Sequence, residues 1–236
     1  SSPQYVWALF TKPIMGQLGV TLTELQVTFS ILIVLQTFFS PFQGYLVDKF
    51  GPRLLLSIGT ILTGLSWVLS ANLTTVSNLY ITYGVLGGLG TGIVYIGVVG
   101  LMVRWFPNNR GFAVGMVAAG YGIGALLTTF PIATSLTETG LQGTLTFFGY
   151  IIGAVGLLAA QGIRVPHADR IQTAGQIEAA ASGVAPKAML KTPVFWLMFL
   201  MMSMMSTSGL MVISQMGAFA KDFGITGAMV FGMAAL

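Results

Sequence analysis

No charged residue lies between Glu24 and Asp48, between Arg53 and Arg104, between Arg110 and Glu138, between Glu138 and Arg164, or between Lys191 and Lys221. A helix needs about 20 apolar residues to cross the hydrocarbon core of a bilayer. Each interval therefore holds one crossing, and the second holds two. Segments inside lipid must satisfy their own backbone hydrogen bonds, which restricts them to helices or closed barrels. Apolar runs of this length lack the short alternating strands of a barrel. Charged residues are 7% of the chain, against about 25% in a soluble domain. The fold class expected is all-α and integral to a membrane.

Read along the chain, the pattern predicts a partial first span over 1–19, then spans over 25–47, 54–69, 79–103, 112–135 and 141–163. Residues 164–191 collect Pro, Gly and much of the remaining charge, the mark of a linker outside the membrane. A seventh span follows over 193–220, and an eighth begins near 225. The domains expected are a bundle over 1–163, a linker over 164–191 and the start of a second bundle over 192–236. The segment QLGVT at 17–21 resembles DFGIT at 222–226, each just after an odd-numbered span, as in carriers built from two repeated halves. The chain opens SSPQYVWALF, without Met or a basic leader, so its natural N-terminus is expected to lie upstream.

Lys and Arg concentrate on the cytoplasmic side of membrane proteins. Lys49, Arg53, Arg104, Arg110, Arg164, Arg170, Lys187 and Lys191 fall after spans 2, 4 and 6, whereas Lys12 and Lys221 fall on the other side. The even-numbered connections, the linker and the N-terminus are thus expected in the cytoplasm, with the protein in the inner (plasma) membrane. Basic residues scattered over short loops suit phospholipid headgroups rather than nucleic acid, despite the net charge of +4. The absence of cysteine removes disulfides, thiolate metal sites and a cysteine nucleophile. His167, the one histidine, lies in the linker, and no span carries paired carboxylates or a P-loop. An enzyme, a metal centre or a bound cofactor is not expected.

The charged turn GYLVDKFGPRLLL at 44–56 sets Asp48 at the C-terminal end of one span and Arg53 at the N-terminal end of the next. Both placements oppose the helix macrodipole. They predict partners elsewhere: a neighbouring helix N-terminus for Asp48, and a carboxylate or a helix C-terminus for Arg53. Such contacts can form in one conformer and break in another.

This turn resembles the signature loop between helices two and three of the major facilitator superfamily, with Gly44, Asp48, Lys49, Gly51 and Arg53 in the motif's positions. RWFPNNRG at 104–111, followed by GMVAAGYGIG, is similar to that superfamily's connection between helices four and five. PQYVWALF, GTGIVYIG and RWFPNNRGFAVGMVAAGYGIG look most like the oxalate/formate antiporters, relatives of the monocarboxylate porters. Two departures, Gly84 in span 4 and GYGIGALL in span 5, separate the chain from proton-coupled drug exporters. The resemblance implies a six-helix bundle plus the beginning of a second, and a monomeric secondary transporter exchanging small organic anions by alternating access. Oxalate against formate is the first expectation; another monocarboxylate or dicarboxylate porter is the alternative, and a channel is the rival from a different class.

By the same resemblance, Gln4, Tyr5, Trp7, Tyr95 and Tyr121 match positions lining the substrate cavity, where amide and phenol donors meet carboxylate oxygens. Gly44, Asp48, Lys49, Gly51, Arg53, Arg104 and Arg110 form a conformational latch at the membrane face. No span interior carries a cation, and Lys12 is expected to snorkel to the interface. In the family the substrate-binding cations come from helices eight and eleven, so residues 1–236 alone are not expected to transport. Gly88/Gly92, Gly111/Gly115, Gly120/Gly124 and Gly149/Gly153 stand four apart, which predicts close helix packing. The methionine-rich run LMFLMMSMMSTSGLMV in span 7 reads as lipid-facing or core.

Overall fold

The structure, a computed structural model, describes residues 3–164 and 186–222. The described residues are helical and contain no strand. In chain order they form α1 (Pro3–Leu18), α2 (Leu22–Phe38), α3 (Ser40–Phe50), α4 (Pro52–Ser70), α5 (Val76–Leu79), a π-helix (Tyr80–Leu86), α6 (Gly87–Trp105) and α7 (Arg110–Gln161). A short helix, Pro186–Met189, and a long one, Pro193–Asp222, follow. The expected eighth span, the repeat at 223–226 and residues 165–185 of the linker, with His167 and Arg170, lie outside the described residues.

Three helical stretches, Pro52–Ser70, Val76–Trp105 and Pro107–Gln161, are long and apolar enough to cross a membrane, and the bent pair α2 and α3 makes a fourth. Within the third, Gly140 takes φ 71° and ψ −174°, breaking the helix into arms over 110–139 and 141–161. That positive φ is open to glycine without steric cost. The span expected over 25–47 is built from two helices, α2 and α3. It bends by 53° between Phe38 and Ser40. Pro41 lacks an N–H and its ring crowds the carbonyl four residues back, so an unbroken helix through this point is disfavoured.

At the start of α2, Thr21 and Glu24 cap each other reciprocally. The Thr21 backbone N–H and hydroxyl donate to the Glu24 carboxylate at 2.8 and 2.9 Å, and these bonds hold its carboxyl below the ordinary value.

α4 is the centre of the packing, lying against α6 on one side and α7 on the other. The approach is close because the facing residues have no side chain. A Cβ at Gly64 would stand 2.8 Å from the carbonyl oxygen of Gly149 and 2.9 Å from Cα of Gly153. A Cβ at Gly88 would stand 2.7 Å from the Leu32 carbonyl oxygen on α2. The pairs Gly88/Gly92 and Gly149/Gly153 thus pack as their spacing predicts. Gly111, Gly115 and Gly120 do not: nothing lies within 4 Å of a Cβ at any of them. Gly111 and Gly115 share one face by their spacing, and Gly120 lies on another; no close backbone approach is made at any of the three.

The main core joins α1, α2, α4, the π-helix and the second arm of α7 around Trp7, Phe10, Phe29, Trp67, Tyr83 and Phe148. Trp7 and Tyr83 rings stand 5.0 Å apart, and Phe10 meets Trp67 edge-on at 5.3 Å. The π-helix turns Tyr83 inward, where its hydroxyl donates to the Pro3 carbonyl on α1 at 2.9 Å. Gln43 of α3 is 2% exposed, and neither of its amide atoms finds a partner. The helix Pro193–Asp222 lies beside α1. Its methionines from Met198 to Met205 are exposed among the described residues.

Two outcomes follow. Gly64→Ala and Gly88→Ala each force backbone apart and should lower stability by about 1 to 3 kcal/mol, whereas Gly120→Ala should be neutral or stabilising; thermal unfolding in detergent checks the contrast. The Glu24 cap contributes fully above the ordinary carboxyl pKa of about 4.3 and is lost as pH falls through the lowered folded value. Glu24→Gln should remove that acid dependence, whereas Thr21→Ala keeps the backbone N–H donor and should remove only part of it, read as the pH profile of the melting temperature.

Candidate functional site

Three of the five expected cavity residues converge although they come from different helices. Tyr5 of α1 meets Tyr121 of α7 edge-on with ring centroids 5.6 Å apart, and Tyr95 of α6 meets the same ring at 5.3 Å. All three are half-buried, as is Gln4 beside Tyr5. The first arm of α7 brings Tyr121 between the other two, so one phenol serves as the hub of the group. Edge-to-face pairing suits aromatic quadrupoles and leaves the hydroxyls clear of the ring faces.

Gln36 on α2 was not among the residues picked from the sequence. Its amide nitrogen donates to the Tyr121 hydroxyl at 3.4 Å, and its Oε1 is buried with no partner. The signal was available: an amide in an otherwise apolar span, the same pattern that marks Gln4. Gln26, on the same helix, buries an unpartnered Nε2. The group therefore gathers phenol and amide donors from α1, α2, α6 and α7. Such donors can meet carboxylate oxygens, but they carry no positive charge.

Trp7 lies apart from this group: its ring is wholly buried in the core, 6.2 Å from Phe29 and 5.0 Å from Tyr83. Two residues past Tyr5, it is turned about 200° around the helix from that side chain. Tyr95 and Tyr121 also line a cavity of about 510 Å³ bounded by α4, α6 and both arms of α7, whereas Gln4, Tyr5 and Gln36 do not.

The charged residues at the helix ends form a second constellation. The Asp48 carboxylate pairs with the Arg104 guanidinium, at 65% and 39% exposure. The partner is thus a side chain in the last turn of α6, not the helix N-terminus expected. Arg104 complements the dipole of its own helix C-terminus while neutralising an anion badly placed on α3. Arg53 donates to Gln161 Oε1 from Nε at 3.2 Å and from Nη2 at 2.8 Å. Gln161 closes α7, so the helix C-terminus expected is there, with an amide in place of a carboxylate; its Nε2 donates onward to Ser57 Oγ at 3.2 Å.

The remaining members serve the turns. Gly51 has φ 86°, a conformation that favours glycine. The Lys49 ammonium stands 5.9 Å from the Tyr45 ring and 5.5 Å from the Phe50 ring. A Cβ at Gly44 would meet Ile96 at an ordinary 3.7 Å. Arg110 donates from Nε to the Pro107 carbonyl at 3.1 Å, bracing the turn that leads into α7. Trp105 Nε1 donates to the Arg164 carbonyl at 2.9 Å, tying the end of α6 to the end of α7. Asp48, Gly44, Ile96, Gly100 and Arg104 border a small pocket of about 170 Å³.

The family profile described as Major Facilitator Superfamily matches residues 4–236. An oxalate:formate antiporter of Oxalobacter formigenes is 33% identical over 234 residues, 99% of this chain and 55% of that protein. An uncharacterized MFS-type transporter, YhjX, of Escherichia coli is 27% identical over 89% of this chain and 52% of that protein. Monocarboxylate transporter 14 of Mus musculus is 35% identical over 50% of this chain and 22% of its own length. The chain spans about half the length of the first two relatives.

Proposed function

Because the chain belongs to the major facilitator superfamily, we propose that the whole protein is a secondary carrier that exchanges small carboxylates, oxalate against formate in the first instance. The observation that carries this reading is the meeting of Tyr5, Tyr95, Tyr121 and Gln36 from four helices around one hub. Likeness to an oxalate:formate antiporter along 99% of this chain supports the substrate class. Phenol and amide donors suit a planar anion with oxygens at both ends. The positive charge that such a substrate requires would come from residues beyond those described. A broader monocarboxylate porter is the second reading, supported by the likeness to monocarboxylate transporter 14.

In this reading the helix-end charges act on rate. The Asp48–Arg104 pair and the Arg53–Gln161 bonds join α3 to α6 and α4 to α7 on the side that also carries Arg110 and Arg164. Exposed pairs of this kind are worth about 0 to 1 kcal/mol each. That is too little to hold the fold but enough to tilt an equilibrium between two conformers. This side is assigned to the cytoplasm, with bundles over 1–163 and from 192 onward rocking about the site.

Counterflow into liposomes containing the whole protein tests the carrier: labelled oxalate should accumulate saturably against internal formate, and ohmic single-channel currents would speak for a channel instead. Tyr95→Phe or Tyr121→Phe should raise KM for oxalate about tenfold, the worth of one hydrogen bond to a charged group. Asp48→Asn should slow turnover with affinity nearly unchanged, and Arg104→Gln in the same background should add little further slowing. Normal turnover with a large loss of affinity would remove the latch role.

A further inference from the structure

Gln43 of α3 is 2% exposed, and both Oε1 and Nε2 are buried without a hydrogen-bond partner. Buried polar side chains are nearly always paired, and one left unpaired bears the full desolvation of its polar atoms. So little of this side chain is open that no further length of chain reaches the amide unless its neighbours first part.

The amide enters the interior at a glycine. A Cβ on Gly92 of α6 would stand 2.6 Å from Oε1, 2.7 Å from Nε2 and 3.0 Å from Cδ, so the amide lies against bare backbone. Helix carbonyls there are already bonded within α6. Thr91, next to Gly92 in the chain, gives its hydroxyl to the Gly87 carbonyl at 2.7 Å.

Gln43 also stands where α3 can move. Its backbone N–H donates to the Phe39 carbonyl at 2.9 Å, in the first turn after the 53° bend. α3 packs chiefly against α6. Along that interface Gln43 lies on Gly92, Gly44 faces Ile96, and Asp48 pairs with Arg104. The ion pair draws the far end of α3 to α6, while the unpaired amide at the near end opposes the same contact. Tyr95 follows Gly92 by three residues, on neighbouring positions of the α6 surface, so the interface adjoins the tyrosine group.

We propose that Gln43 is a positioning residue for the conformational step: its unpaired amide raises the free energy of the closed α3–α6 interface, is relieved when α3 swings away, and so sets how often that interface opens. Its effect on exchange rests on the carrier reading, but the opening is measurable without any substrate.

Gln43→Met keeps an unbranched side chain of similar length and removes both polar atoms. In the whole protein it should raise the thermal midpoint in detergent by a few degrees, where a residue serving only the packing would lose stability. In liposomes it should lower kcat for oxalate exchange about tenfold, the weight of one unpaired polar group, with KM unchanged. Gln43→Leu should act in the same direction, which guards against misfit of one side chain. Asp48→Asn weakens the opposing end of the interface, so Gln43→Met combined with Asp48→Asn should turn over faster than either single variant.

Opening is read separately at Val47→Cys. Val47 is 5% exposed, one turn beyond Gln43, and packs with Ile93. Residues 1–236 contain no cysteine, and any elsewhere in the whole protein is replaced. Labelling by a water-soluble maleimide should slow about tenfold when Gln43→Met is added. Absence of oxalate exchange in the parent would remove the carrier reading and leave the labelling difference and the raised midpoint standing. A lower midpoint in both Gln43 variants, labelling of Val47→Cys indifferent to residue 43, or a double variant slower than both singles overturns the proposal.

Discussion

Everything in this bundle depends on how closely α4 approaches its neighbours. Lipid tails are as apolar as leucine, so no hydrophobic force drives helices together inside a membrane, and association rests on van der Waals contact and a few hydrogen bonds. Contact of that kind needs short distances. Gly64 against Gly149 and Gly153 supplies them between α4 and α7, and Gly59 with Gly90 supplies them between α4 and α6. The same logic sets α2 against α6 through Gly88. Once these backbones are in place, Tyr95 of α6 and Tyr121 of α7 are brought edge to face at 5.3 Å.

Against that scaffold the polar interactions are few and divide by position. At the helix ends they are exposed and exchangeable: Asp48 with Arg104, Arg53 with Gln161, Trp105 with the Arg164 carbonyl. Inside, several polar atoms have no partner, among them both amide atoms of Gln43, Oε1 of Gln36 and the indole nitrogens of Trp7 and Trp67. Unpaired buried groups raise the free energy of the conformer that holds them. For the exchange proposed above, a chain locked into neither conformer would pass between them more readily. Strong bonds at the ends or a fully satisfied interior would deepen one well at the expense of motion.

The spans were legible because charge is scarce: the helix Pro52–Ser70 stands where 54–69 is expected, and Pro193–Asp222 where 193–220 is. Tyr5, Tyr95 and Tyr121 were legible for a related reason, since polar side chains inside lipid are costly and stand out. Geometry that depends on a neighbour was not. Trp7 shares a span with Gln4 and Tyr5, but which face it presents is set by where α2 and the π-helix lie. Asp48 shows in the sequence that it needs a partner, yet only the end of α6 reveals that the partner is a guanidinium. Gly111 and Gly115 carry the same spacing as Gly149 and Gly153, and spacing alone cannot tell a covered face from an open one. The bend at Phe39 had a visible cause in Pro41, hidden by reading the apolar run as one crossing.

That bend makes span 2 a lever with a pivot near its middle. The arm beyond Phe39 carries Asp48 about 13 Å along the helix axis from the pivot, at 1.5 Å per residue. A swing of roughly 10° there displaces the carboxylate sideways by about 2 Å, enough to part it from Arg104. The packing of α2 against α1 need not change at all. The same swing carries Val47, buried with Leu55 and Ile93, so the making or breaking of the ion pair at the membrane face would be coupled to a shift in that cluster.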